Sequence, residues 1–184
     1  MVSDPIIQPL IDAANGGSCT ARQRLFEALY GELHRLARRQ LAQIRAPMSA
    51  TTLLHETYLN LSARSDVVFP DRARFMAYAA RAMRGVVIDC VRQHYAQKRG
   101  GNFEFTSIDA ADSVPSWTGN ELSDISDALD ALATVEPELA ELVDLKFFCG
   151  LSVDEIAGIR RMSSRTVHRD WEKARIYLYG AMKE

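Results

Sequence analysis

The segment GLSVDEIAGIRRMSSRTVHRDWEKARIYLY, residues 150–179, constrains this chain more than any other. Ser152 followed three residues later by Glu155 is a capping box, in which each side chain satisfies a backbone N–H at a helix start. Ile156, Ala157 and Ile159 then give a short helix one apolar side. Arg160, Arg161 and Met162 make a turn, and Ser163 is placed to cap a second helix. Two helices joined by so short a turn form a helix-turn-helix, a motif that sets its second helix in the major groove of DNA. At about 100° per residue, Val167, Trp171, Ala174 and Leu178 of that second helix share a narrow arc and face a core. Arg165, Thr166, Arg169 and Lys173 take the opposite side, flanked by Ser164 and His168. Arginine pairs bidentately with guanine, and serine or threonine holds phosphates or touches base edges. An ordinary solvated face is the plainer alternative. The cap, the turn and the correctly placed apolar stripe together favour DNA.

The rest of the chain has the same period and no convincing strand, so the expected fold class is all-α. A short helix near 5–14 stops at Gly16-Gly17. A long one follows over about 20–45, with Leu25, Leu29, Leu33, Leu36 and Ile44 as its stripe, and Pro47 marks its end. A third helix begins at Thr51, with Leu54, Tyr58 and Leu61 on one side, and a fourth runs over about 71–98. Residues 102–120 keep no period, are acidic, and contain Pro115 and Gly119, which suits a flexible linker. Four helices are then expected over about 121–134, 136–148, 153–160 and 164–181. The predicted organisation is two small helical domains, 1–101 and 121–184, joined by the linker 102–120.

The net charge of -2 conceals a marked asymmetry. Residues 1–102 carry 14 Lys/Arg against 8 Asp/Glu, residues 103–150 one Lys against 11 acids, and residues 151–184 7 bases against 5 acids. Two basic ends flanking an acidic middle hint at contact with nucleic acid. Other classes lose ground. No apolar run approaches the ~20 residues of a membrane span, and the N-terminus lacks the form of a secretion signal. Cys19, Cys90 and Cys149 are widely spaced and read as reduced thiols of a cytoplasmic protein. His34, His55, His94 and His168 are scattered, and the chain shows no phosphate loop, metal motif or nucleophile elbow. Neither a metal, a cofactor nor an enzymatic activity is therefore expected.

Three segments in order carry a family resemblance: LLHETYLNL, then FMAYAARAMRGVVIDCVRQHYAQKRG, then LSVDEIA…SSRTVHRDWEKAR. Together they resemble a bacterial sigma factor of the extracytoplasmic-function (ECF) group of the sigma-70 family, over about residues 10–179. The resemblance implies an alternative sigma factor that directs core RNA polymerase to particular promoters. Residues 1–101 would be region 2, which binds the polymerase clamp and opens the -10 element. Residues 121–184 would be region 4, which reads the -35 element through Ser164, Arg165, Thr166, His168, Arg169 and Lys173. The implied partners are promoter DNA and the polymerase core, at its clamp and flap.

On the fourth helix, Phe75, Ala79, Ala82, Val86 and either Ala80 or Met83 supply an apolar stripe, and Arg74, Arg81, Arg84 and Arg92 a basic one that Lys98 and Arg99 extend. Such a stripe suits DNA phosphates, with ordinary surface charge as the alternative. By the resemblance, the loop 65–71 lies where a flipped -10 base is captured, with Phe69 either a wall of that pocket or a core plug beneath the loop. Asp89 is expected to orient a nearby arginine. Where the family has Asn in its A-R-N-L-A-I-D run this chain has Gly85 after Arg84, which implies a different base preference.

The helix beginning at Thr51 aligns with the family's clamp-binding helix. Most members place acids just before it. Here that position reads Ser49-Ala50-Thr51-Thr52, leaving only Glu56 further along, beside His55 where the family has Gln. Phosphothreonine supplies about -1.5 to -2 charges and would sit at a helix N-terminus, where the dipole and free N–H groups favour anions. ECF subgroups lacking the acidic motif are linked to Ser/Thr protein kinases. The expectation is phosphorylation of Thr51, or secondarily Thr52, as the switch for polymerase binding, against the alternative that a threonine merely caps the helix. The rival reading of the whole chain is a conventional helix-turn-helix regulator that does not replace sigma.

Overall fold

A computed structural model describes residues 6–44, 46–63, 67–100 and 119–181, without the side chains of Tyr95, residues 97–100 and residues 119–120. Among the described residues every regular element is helical. The chain runs α1 (Ile7–Asn15), α2 (Cys19–Ala28), α3 (Tyr30–Ile44), α4 (Ala50–Ser62) and α5 (Arg72–Gly100). It continues with α6 (Gly119–Val135), α7 (Pro137–Val143), a π-helical turn (Asp144–Phe148), α8 (Val153–Arg160) and α9 (Ser164–Ala181).

Local chemistry sets most of these boundaries. Gly17 has φ +88°, the left-handed region where glycine carries no steric penalty, and it turns the chain from α1 into α2. Ser18 caps α2 by accepting the Ala21 N–H. The long helix expected over 20–45 is two helices meeting at Leu29, whose ψ is 3°. The hydrogen bonds run on through this point: Leu29 still donates to the Leu25 carbonyl and Leu33 to the Leu29 carbonyl. Gly31, a poor helix former, stands beside it. The helix expected over 136–148 starts at Pro137, which favours a first helical position, and widens at Asp144 into the π turn. Residues 119 and 120, expected in the linker, are helical and open α6; the remainder, 102–118, lies outside the described residues.

Burial follows the apolar stripes. Leu25, Leu29, Leu33, Leu53, Leu54 and Met83 are fully buried in the first unit, and Leu122, Leu129, Leu132, Phe148, Ile156 and Val167 in the second. These side chains belong to one continuous apolar cluster. The two units meet along α5, which packs against α6, α7 and the π turn, while α3 also touches the π turn.

The loop before α5 is tied to the first helix. The Asn15 side chain donates to the Phe69 carbonyl (2.6 Å) and accepts the Phe69 N–H (2.9 Å). Phe69 is buried, edge-on to Phe75 and Tyr78 at ring separations of 5.3 and 5.2 Å.

Candidate functional site

The helix-turn-helix is built by its caps. Ser152 accepts the Glu155 N–H at 3.2 Å, and the Glu155 carboxylate accepts the Ser152 N–H at 2.8 Å. Arg161 closes α8 in the left-handed conformation, φ 52°, and the Met162 N–H reaches the Ala157 carbonyl. Ser163 then accepts the Thr166 N–H at 3.1 Å and starts α9. The Ser164 hydroxyl donates to Asp154 Oδ1 at 2.6 Å, fixing one helix against the other. Val167 and Ala174 are fully buried, with Trp171 and Leu178 half-buried beside them. Arg165, His168, Arg169 and Lys173 are exposed along the opposite side, and Thr166 is half-buried. All six residues named from the sequence for -35 contact therefore lie on the first three turns of α9, four of them open to solvent.

Glu155 has a second partner, Arg39 of α3, at 2.9 Å. That hydrogen bond, with the one from Ser152, lowers the Glu155 pKa to about 2. The cap's charge then contributes stability above the ordinary glutamate range, which is lost as pH falls through about 2. Ser152→Ala is expected to cost about 1 kcal/mol of stability, read by denaturant unfolding.

The basic residues of α5 do not stand free. Arg74 donates to Glu141 Oε2 (2.8 Å) and Glu138 Oε1 (2.7 Å) of α7. Partial burial weighs against its charge, but the two carboxylates outweigh it and leave its pKa raised. Arg81 meets Asp130 of α6 at 3.2 Å. Arg84, 2% exposed, donates to Ser126 Oγ (2.7 Å) and Asp130 Oδ1 (3.0 Å), and its Nε lies 2.7 Å from Asp144 Oδ1. The Phe148 ring lies 5.6 Å from its guanidinium carbon. Arg92 lies 3.6 Å from Asp127 and donates to Ser123; Asp89, one turn back, is 3.8 Å away. The stripe expected as a free basic face is thus engaged by carboxylates of the second unit, with Arg81 and Arg92 still exposed and Arg84 drawn into the interior. An arginine goes there only with partners. Lys98 and Arg99 stand on the last turn of α5, and their side chains lie outside the described residues. Phe69 occupies the core-plug position, beneath the exposed Val68. Gly85 borders a polar cavity of about 490 Å3 with Asn60, Tyr78, Arg81 and Asp89.

At the start of α4 the cap is Ser49, which accepts the Thr52 N–H at 3.0 Å. The Ser49 and Thr52 hydroxyls are 2.8 Å apart in a hydrogen bond of their own. Thr51 is exposed and takes no part in either bond. It borders a shallow cavity of about 280 Å3 with Phe26, Glu27, Tyr30, His55 and Tyr58. His55 and Glu56 are exposed on the next turn.

Two features had no place in the sequence reasoning. One is the acidic row Asp127, Asp130, Glu138, Glu141 and Asp144, which meets the α5 arginines. Its three-residue spacings were the available signal. The other is an apolar groove of about 630 Å3 between Ile125, Val143, Phe147, Trp171, Ile176 and Tyr179, where Ile176 and Tyr179 are exposed. Among the described residues no cluster of His, Cys, Asp and Glu is arranged to hold a metal ion, and no helix is long and apolar enough to cross a membrane.

The sequence model of the ECF sigma factor family matches residues 6–184, and the chain belongs to that family. No curated protein matches it. Among solved structures it is similar to CnrH in complex with the cytosolic domain of CnrY, at 19% identity and a TM-score of 0.40, over 97% of either chain.

Proposed function

We propose that this ECF sigma factor is switched on by phosphorylation of Thr51, with Thr52 the second choice, which supplies the charge its polymerase-docking helix lacks. The observation that carries the reading is the division of labour at the start of α4. Ser49 does the capping, and Thr52 bonds to Ser49, while Thr51 is left exposed beside His55 with no role in the cap. A phosphate there adds about -1.5 to -2 charges near a positive helix end. In this reading the unmodified protein binds the clamp weakly. A Ser/Thr protein kinase turns a soluble, cytoplasmic, non-enzymatic DNA-binding protein into a working sigma subunit. His55 and Glu56 complete the docking surface. For the flap, the groove lined by the exposed Ile176 and Tyr179 is the candidate contact surface.

Region 4 in this reading is the α6–α9 unit and region 2 the α1–α5 unit. Replacing Arg165 and Arg169 together by alanine is expected to weaken duplex promoter binding by about 2–6 kcal/mol if both read bases, since each good base pairing supplies ~1–3 kcal/mol. The slope of log K against log salt is expected to change by about one for each arginine that meets a phosphate. Fluorescence anisotropy at several salt concentrations measures both.

The deciding experiment is transcription from a candidate promoter with polymerase core, this chain and no other sigma, before and after kinase treatment, with phosphosite mapping. Promoter-specific transcripts that need phosphorylated Thr51 support the reading. Duplex binding without promoter-specific initiation under either condition favours a conventional regulator.

A further inference from the structure

We infer that α1 is a brace for the loop ahead of α5, with Asn15 as its positioning residue, and that the brace sets the exposed Val68 against an unstacked base of the -10 strand. The inference rests on the reading of this chain as a sigma subunit that meets that strand at this loop, and adds the residue that holds the loop in place.

Backbone hydrogen bonding argues for it first. Residues 67–71 belong to no helix. The polar groups of such a segment find partners elsewhere or are left to water. At Phe69 a single side chain takes both groups. Asn15, the last residue of α1, donates through Nδ2 to the Phe69 carbonyl at 2.6 Å and accepts the Phe69 N–H on Oδ1 at 2.9 Å. A carboxamide carries donor and acceptor on one planar group, so the pair of bonds fixes both the position and the tilt of the loop backbone. Gln8 stands seven residues earlier, on the same side of α1, and donates to the Pro70 carbonyl at 3.1 Å. Gln8 is itself held by Asp12 at 3.0 Å. Beyond the loop, Asp71 accepts the Arg74 N–H at 3.0 Å and opens α5.

Side-chain placement argues for it next. The Phe69 ring is enclosed by Phe75 and Tyr78, so it offers no face to a base. Val68, its neighbour, is 66% exposed. One exposed valine is ordinary. What distinguishes this one is that the next two residues are fixed by side chains from another helix. A solvated connection needs no such fixation, because water serves its backbone equally well. A wall for an extruded base does need it, since ordering the wall after the base arrives costs conformational entropy.

The test uses the full-length chain on polymerase core, at concentrations that saturate the core whether or not Thr51 is phosphorylated. The probe is a fluorescent single strand carrying the non-template -10 segment of the promoter used for transcription. Companion strands have one -10 position at a time made abasic. Anisotropy gives the ratio of the two affinities. For the unaltered protein one abasic position is expected to weaken binding at least about fivefold, the low end of what stacking a base on a side chain contributes. Asn15→Leu removes both bonds and is expected to bring the ratio below about twofold. Asn15→Asp keeps the acceptor, loses the donor, and should lower the ratio as well; it carries the test should Asn15→Leu fail to fold. General destabilisation lowers the folded fraction and weakens both strands alike, leaving the ratio unchanged. Val68→Ala is expected to lower the ratio, and Asn15→Leu added to it should have little further effect, as for residues acting through one contact. A ratio near one at every position in the unaltered protein removes the loop as a base reader, and the brace with it. A ratio present in the unaltered protein and undiminished in the Asn15 variants overturns the brace alone. A ratio lost with Asn15 but kept in Val68→Ala overturns the assignment of Val68 as the wall.

Discussion

Arg84→Met is expected to destabilise the protein by about 3–5 kcal/mol near neutral pH, the usual consequence of removing one partner from a buried ion pair. Methionine keeps much of the length and all of the apolar stem, so the packing loss is small. What is lost is the cation that serves Asp144, whose carboxyl is fully buried in the π turn. Ser126 and Asp130 lose a donor as well, but Asp130 is largely exposed and water can replace it.

The pH dependence separates this cause from simple repacking. Burial pushes the Asp144 pKa up to about 6, against the pull of Arg84 and Arg81. The native state therefore holds this proton more firmly than the unfolded chain does. Its contribution is fully present below the ordinary aspartate range and declines as pH rises from about 4 to about 6. With Arg84 gone, only the pull of Arg81 is left against the burial, and the decline should continue above pH 6. The variant should accordingly recover part of its deficit near pH 5 relative to pH 7.5. Urea unfolding at the two values measures this. An equal deficit at both would place the effect in lost contacts with Phe148 rather than in an orphaned carboxylate.

Arg84 also shows where reading along a sequence stops. Arg81 and Arg84 stand one turn apart among small apolar residues, and a single helix gives no way to tell a solvated arginine from a buried one. The answer lies about sixty residues later, in the sequence LVDLKFF, where Asp144 interrupts an apolar run. A carboxylate in such a run needs a cation, and the two unusual positions explain each other. The helix-turn-helix, in contrast, was legible nearly to the residue, because Ser152, Glu155 and Ser163 act on backbone groups within their own turn. At Leu29 the hydrogen bonds continue through the bend, so the sequence period continues too and predicts one helix where there are two. Ser49, Thr51 and Thr52 are all cap formers, and only the geometry distinguishes the one that caps.

That degeneracy gives the Thr51 prediction its sharpest form. Interfacial charge pairs are worth about 2–5 kcal/mol when one partner is removed, so supplying the missing anion should tighten binding to polymerase core by roughly 30- to 5000-fold. The comparison is a titration of core with unmodified protein, with protein phosphorylated at Thr51, and with Thr51→Asp, which adds about one charge and should recover only part of the gain. Stability measurements exclude the alternative role. Ser49→Ala should cost about 1 kcal/mol because it removes the cap, whereas Thr51→Ala should change unfolding by less than about 0.5 kcal/mol. It should still abolish the response to the kinase. A Thr51→Ala protein as destabilised as Ser49→Ala would make Thr51 a structural residue. Unmodified protein that binds core as tightly as the phosphorylated form would leave the missing acids without consequence.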